Sequence, residues 1–535
     1  MILGTITKTF LVLIFLTMNG AVSANSFEET IKLLDAKKFE TKNKVIGTLV
    51  TQADGRSVRL FEKMLAGQLF FLKKGKILVI GVKEGRKYKI QEFLSGKDLG
   101  EVKKRRLRKV SINNKLRNRL QLAIGSLALS SGEPKKRERA AYDLIKNGDI
   151  LMLPTLDNAL KLETVDVVRE ALTLARNAIQ AKEGNKILRL AAIEQLSGII
   201  DKDILVLLNG LTIETNEGNA EIRAAAKNAL KASEFKRNLS AGFETLFFGL
   251  SLGSVLLLAA VGLAITFGVM GVINMAHGEM IMIGAYTTFV IQQLLPNAIE
   301  YSLLIAVPAA FLVSGVIGIV IERGVIRYLY GRPLETLLAT FGISLILQQA
   351  VRSIFSPLNR SVITPEWMSG GWEINAALLL TYNRLTIIIF TIVLLGVLAA
   401  LMRYSSFGLQ MRAVTQNRRM ASAMGVKTNW VDALTFGFGS GIAGIAGVAL
   451  SQLTNVGPNL GQQYIVDSFM VVVFGGVGNI WGTALGAIIL GVANKFLEPW
   501  SGAVLGKICL LVFIILFIQK RPRGMFALKG RAAES

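Results

Sequence analysis

Asn274, His277 and Glu279 fall within six residues of one another, between two long apolar runs. Amide, imidazole and carboxylate groups at membrane depth are costly unless they pair or line a wet cavity. The cluster therefore reads as a hydrogen-bond knot that holds a helix break, or as a contact site for a polar solute. The residues alone leave both open. Thr340, Ser344, Gln348, Gln349 and Asn479 add hydroxyl and amide groups in later apolar stretches. Charge is scarce in these stretches, which offer Glu279, Asp467, Lys495 and Lys507. That scarcity leans towards a neutral solute, although a helix end can also hold a carboxylate.

Catalytic chemistry has little to work with. His277 is the only histidine and Cys509 the only cysteine among 535 residues. An intrachain disulfide and a multi-cysteine or histidine-rich metal site are excluded. No glycine-rich phosphate loop of the GxxxxGK[ST] type occurs. The expectation is a protein that is not an enzyme, with no catalytic residues, no metal and no cofactor of its own.

These groups must be held by membrane elements. The chain is 52% hydrophobic and 18% charged, with mean hydropathy +0.48. Ordinary soluble proteins carry about 25% charged residues. Thr245–Val269 has no charge and is long enough to cross the ~30 Å hydrocarbon core. Further apolar stretches are Met280–Leu295, Tyr301–Ile321, Thr336–Val351, Leu385–Met402, Ala433–Leu453, Ser468–Asn494 and Ala503–Ile518. The expected fold is an all-α polytopic membrane protein of about nine crossings, with Ser468–Asn494 counted as two. Most of the 52 glycines lie here. Small residues one turn apart allow close helix packing in lipid, which accounts for most of them. Helix breaks are expected only at Gly271–Gly278 and Gly475–Gly478, through Gly271, Gly278, Gly475, Gly476 and Gly478.

Residues 25–240 are different. They hold 42 of the 61 basic residues. Before them, Lys8, an apolar run and Val22-Ser23-Ala24 read as a secretory signal over 1–24. Residues 25–134 read as mixed or β-rich, with strands at Lys44–Thr51 and Leu69–Val82. The basic run Lys103–Lys109 reads as a solvated face, not a nucleic-acid site. Residues 135–240 read as HEAT-like helical repeats, from the echo of Ala140-Ala141 with Leu144, Ala191-Ala192 with Leu196, and Ala224–Ala226 with Leu230. A binding or scaffolding role is favoured there.

Placing 25–240 outside the cytoplasm puts Arg323, Arg327 and Arg332 inside, followed by Arg403, Arg412, Arg418, Arg419 and Lys427, and finally Lys520, Arg521 and Arg523. The positive-inside rule demands that pattern. The expected location is an inner membrane, with residues 25–240 periplasmic and the tail 526–535 cytoplasmic. Within the basic loop, Arg412, Ala413, Asn417, Ala421 and Gly425 fit a short amphipathic helix that Gly425 stops. Such a helix suits a groove on a partner or a lipid surface.

Four motifs in order now carry a resemblance. They are Gly271–Glu279 with Met282–Tyr286, Leu338–Leu347, Arg412–Val426 and Val473–Gly482. Across residues 241–525 the chain resembles branched-chain amino-acid ABC transporter permeases. Through Asn274–His277, Pro365–Gly370 and the N-terminal extension it is most similar to their urea-transporting branch. The resemblance implies a permease subunit that forms the solute pathway with a second permease. It also implies two cytoplasmic ATPases that hydrolyse ATP and a periplasmic solute-binding protein. In it, Arg412–Val426 is the ATPase-contacting loop.

Overall fold

Two patterns of apolar spacing produce two contact units, Met1–Lys236 and Arg237–Ser535. The computed structural model describes residues 27–526 apart from Lys37, Ala53, Arg86 and Ala376. The expected signal sequence over 1–24 and the tail beyond Phe526 lie outside the described residues.

The first unit opens with helices α1 (Phe27–Lys32), α2 (Phe39–Gln52) and α3 (Arg56–Leu65). In α3, Ser57, Leu60, Phe61 and Met64 share one buried face, the i, i+3, i+4, i+7 pattern of an amphipathic helix. Lys44–Thr51, expected as a strand, lies in α2. Val45, Ile46 and Leu49 are buried there on one helical face, and that packing overrides the strand preference of β-branched residues. Strands β1 (Leu69–Leu72), β2 (Ile77–Glu84), β3 (Lys87–Glu92), β4 (Asp98–Lys103) and β5 (Leu107–Lys109) form an antiparallel sheet in the order β4-β3-β2-β1-β5. The expected break at Lys74-Gly75 is the β1–β2 turn. The basic run ends on β5, an edge strand paired only with β1. Charge on a short edge discourages further strand pairing.

Helix α4 (Asn114–Leu129) leads to α5 (Pro134–Asn147), α6 (Leu153–Leu162), α7 (Asp166–Lys182), α8 (Lys186–Gln195), α9 (Lys202–Thr212) and α10 (Ala220–Met270). The contact boundary falls within α10. A set of contacts recurs along these helices, the triplet α5–α7 echoed by the triplet α8–α10. Arg137 and Arg189 are 52 residues apart, as are the helix-capping Asp149 and Asp201 and the buried Leu156 and Leu208. Glu163 and Glu217, Arg169 and Arg223, and the buried Val168 and Ile222 are 54 apart. Arg137 donates from Nε and Nη2 to Glu163, at 2.7 and 2.8 Å, and Arg169 donates to the Glu163 carbonyl at 3.0 Å. Arg189 pairs with Glu217, and Arg223 donates to the Glu217 carbonyl at 2.8 Å. The Arg137 hydrogen bonds hold the Glu163 carboxyl down at about 2, and Arg189 lowers that of Glu217. Of the three sequence echoes, those at Leu144 and Leu196 lie on equivalent helices. The third lies on α10, which matches α7.

The second unit continues with α11 (His277–Leu294), α12 (Ile299–Gly324), α13 (Pro333–Phe355), the hairpin β6–β7 (Gly371–Asn375, Leu378–Thr381), α14 (Tyr382–Tyr404), α15 (Ser406–Gln416), α16 (Arg418–Ala423), α17 (Thr428–Ser451), α18 (Leu460–Gly475) and α19 (Ile480–Lys520). Among the described residues six helices are long and apolar enough to cross a membrane: α10, α12, α13, α14, α17 and α19. The other three expected crossings fall on α11, on α18 and on the second arm of α19, which bends at Gly502 (φ +76°) just after Pro499.

Helix α17 is the buried axis of this unit. Its glycines meet backbone on three neighbours. A β-carbon at Gly439 would lie 2.7 Å from the Gly262 carbonyl oxygen of α10. One at Gly444 would lie 2.6 Å from the Ala310 carbonyl of α12, and one at Gly447 would lie 2.7 Å from the Ala285 nitrogen of α11. Such contacts are what small residues provide where lipid supplies no hydrophobic drive between helices.

Candidate functional site

Helix α10 stops at Met270 because Gly271 adopts φ +65°, and residues 271–276 cross to α11 without helix. Three ties hold this break. Asn274 Oδ1 accepts from the Ala276 nitrogen at 3.0 Å, and Thr340 Oγ1 of α13 accepts from the Met275 nitrogen at 3.1 Å. His277, fully buried, bonds through Nε2 to the Ala259 carbonyl at 2.9 Å and so fastens α11 to α10.

Two residues further on, Glu279 is 1% exposed. Its Oε1 accepts from Ser344 Oγ at 2.9 Å and from Gln348 Nε2 at 2.7 Å. Glu279 Oε2 and Asn274 Nδ2 have no hydrogen-bond partner among the described residues. A buried polar atom without a partner costs about 1–3 kcal/mol. The pair therefore leaves one strong acceptor and one donor unspent, both on segments packed against α13.

Helix α13 supplies the facing wall in an inverted pattern. Thr336, Thr340, Ser344 and Gln348, four residues apart, are buried, while Leu338, Leu345 and Ile346 face outward. In water the apolar stripe would turn inward. Here the polar stripe does, as expected of a helix with lipid or an apolar partner behind it and polar groups before it.

The in-span charges sort themselves. Asp467 pairs with Lys507 at 2.8 Å, and Lys495 pairs with Glu498 at 2.6 Å. Glu279 has no cation within 4 Å among the described residues.

Not every expected residue joins this cluster. Gln349 is one position off the stripe and exposed. Asn479 is the N-cap of α19, its side chain accepting from the Trp481 and Gly482 nitrogens, both at 3.1 Å. Gly278 is no break: it is helical, and a β-carbon there would lie 2.6 Å from the Gly461 carbonyl oxygen of α18. Gly475 likewise ends α18 in close contact with Gly482, whereas Gly476 (φ +107°) and Gly478 (φ +78°) make the turn.

The basic loop forms two helices, not one. Asn417 separates them as the N-cap of α16, accepting from the Met420 nitrogen at 3.0 Å. Gly425 (φ +88°) ends the second, as expected. Ala421 is buried with Met411 and Val414, and Ala413 packs beside them, so these anchor the loop to its own unit. The outward apolar groups are Leu409, Met420 and Met424, the last 80% exposed.

Sequence reasoning missed what fastens this loop. Arg418 pairs with the fully buried Asp432 on α17, with Nη1 to Oδ1 at 3.2 Å. The Arg418 guanidinium lies 5.2 Å from the Tyr330 ring centre, and Tyr330 donates to Glu322 of α12 at 2.8 Å. The trace of this tie in the sequence is an aspartate fourteen residues after Arg418, the fifth residue of an otherwise apolar helix.

The geometry is thus a buried polar cluster at a helix break, and a surface helix clamped to the axial helix. Residues 245–518 match the family described as "Branched-chain amino acid transport system / permease component". The chain belongs to that family. It is 32% identical over 292 residues to the high-affinity branched-chain amino acid transport system permease protein LivH of Salmonella typhimurium, covering 53% of this chain and 94% of that protein. It is 30% identical over 287 residues to BraD of Pseudomonas aeruginosa, named for the same kind of system, covering 52% and 93%. A shorter stretch of 109 residues is 29% identical to the ribose import permease protein RbsC of Bacillus subtilis, covering 19% and 34%. No solved structure matches. This family protein is a membrane transport component and not an enzyme. The first unit lies outside the family match.

Proposed function

We propose that the chain is the permease subunit of an ATP-driven importer and that its solute is urea. The observation that carries this is the Glu279 site: a buried carboxylate oxygen and a buried amide nitrogen without partners, walled by Thr340, Ser344 and Gln348. Urea brings N–H donors for the first and a carbonyl oxygen for the second. No Lys or Arg bonds to the cluster among the described residues; the cation of α13, Arg352, stands one turn beyond Gln348 and donates to Asn459 at 2.8 Å. Transport then runs along a pathway shared with a second permease, opened by two cytoplasmic ATPases, with the Arg412–Val426 loop as this chain's contact to them. A periplasmic binding protein delivers the solute, residues 25–240 lie on that side, and the chain ends in the cytoplasm. This chain binds no cofactor, and its partners hydrolyse the ATP.

The names of the relatives favour a second reading, a branched-chain amino acid as solute. An α-ammonium group suits Glu279 equally, and the N-terminus of α11 could receive the carboxylate. Uptake of radiolabelled urea and leucine in a strain lacking this chain, with and without its restoration, separates the two. Loss of leucine uptake with urea uptake intact overturns the urea assignment. Uptake that persists without ATP overturns the importer.

A further inference from the structure

We propose that the cavity bounded by α10, α14, α15 and α19 is a binding site for one anionic phospholipid. The cavity has a volume of about 830 Å³. Its lining changes character towards the helix ends. Ile265 and Val269 of α10 and Ala399 and Met402 of α14 supply an apolar wall within membrane-spanning helices. Past the end of that wall stand Arg403 and Arg412.

Three observations select the ligand. First, no Asp or Glu lines the cavity. Second, neither guanidinium pairs with a carboxylate among the described residues. Arg412 Nη2 instead lies 3.5 Å from the Arg403 carbonyl oxygen, and Arg403 lies 5.5 Å from the ring centre of Tyr404. Both arginines are exposed and free of carboxylate partners among the described residues, so each is open to an anion, and guanidinium groups match phosphate oxygens in pairs. Third, Tyr404 and Trp481 are exposed at the same cavity. Tyrosine and tryptophan gather at headgroup level, so the arginines sit where a lipid phosphate sits and the apolar wall where its acyl chain begins. Basic pockets between membrane helices hold acidic lipid headgroups in this way. An acidic peptide of a partner protein would satisfy the arginines but leave the apolar wall without a purpose.

The test uses the purified full-length chain, delipidated in detergent and titrated with phosphatidylglycerol or phosphatidylcholine under native mass spectrometry. One phosphatidylglycerol is expected to stay bound where phosphatidylcholine does not. Arg403→Gln is expected to weaken it about fivefold, from roughly 1 kcal/mol per basic residue, while Arg403→Lys keeps most of the binding. Ile265→Trp, which fills the apolar wall and leaves both arginines, is expected to exclude the lipid. Size-exclusion elution identifies any variant that has not folded, and Arg403→Gln against Arg403→Lys then decides. Equal retention of the two lipids, or unchanged phosphatidylglycerol binding in Arg403→Gln, overturns the proposal. Displacement of phosphatidylglycerol by an acidic peptide at equal concentration assigns the cavity to a protein partner and overturns it too.

Discussion

The helix triplets of the first unit and the helix cluster around α17 are both built from small residues, and they use them differently. Ala141, Ala171, Ala175 and Ala178 fill the triplet core beside leucines, and the charged groups sit at helix ends in arginine–carboxylate pairs. Around α17 the small residues are glycines that touch backbone, and on α13 the polar groups have moved inside with apolar ones outside. The lesson is about solvent. Water drives the first core together, so a methyl group at the contact adds stabilisation. Lipid gives no such drive between helices, so contact must come from backbone approach.

The sharpest way to break this comparison is to make one substitution in both places. Gly444→Val puts branched carbons where backbone already stands, and a loss of about 3 kcal/mol or more is expected. It should appear as failure to elute as a single species from detergent. Ala175→Val, equally buried in the first unit, has leucine and alanine side chains that can shift, and about 1–2 kcal/mol is expected in a thermal melt. Equal losses at the two sites would end the distinction.

Polar placement is tested next. Glu279→Leu removes the acceptor for Ser344 and Gln348 and the unspent oxygen together. Uptake is expected to fall on the order of tenfold to a hundredfold, the range for a hydrogen bond to a charged group, with membrane content unchanged. Asp432→Asn loosens the tie between α16 and α17, one partner of which is half exposed. Measured as ATP hydrolysed per solute taken up by the reconstituted transporter, the expected change is a few-fold rise. Asp432→Arg with Arg418→Asp should restore part of it. Unchanged coupling would reduce the pair to a structural clasp.

The smallest effect concerns pH and belongs to the first unit. Glu163 and Glu217 are held below their unfolded values by Arg137 and Arg189. Their contribution is therefore complete above about pH 4.5 and is lost as pH falls through the folded value, about 2 for Glu163. Melting of the first unit followed from pH 7 to pH 3 should show a fall beginning below about pH 4.5. Glu163→Gln should make that fall shallower.

The membrane unit was legible because its signals are local. An uncharged run must be a buried helix, and arginine-rich loops mark its ends. The polar stripe of α13 was half visible: Thr340, Ser344 and Gln348 lie four apart, and only the helical phase separates them from Gln349. The tie between Arg418 and Asp432 was not visible, because it joins two helices through a turn whose direction Gly425 sets. Nor was the capping role of Asn479, since an asparagine before an apolar helix looks the same whether it binds solute or backbone. In the first unit, the strand expected at Lys44–Thr51 failed because tertiary burial outranks β-propensity. The triplet stayed hidden because its period changes from 52 to 54, and an irregular spacing weakens any repeat signal.

That change of period has a history in it. Two copies of one ancestral stretch, laid end to end, would keep every spacing identical until a later event lengthened one of them. The extra pair of residues lies between α9 and α10, in a surface connection where chains accept additions most readily. Each triplet carries its own clasp of arginine and glutamate.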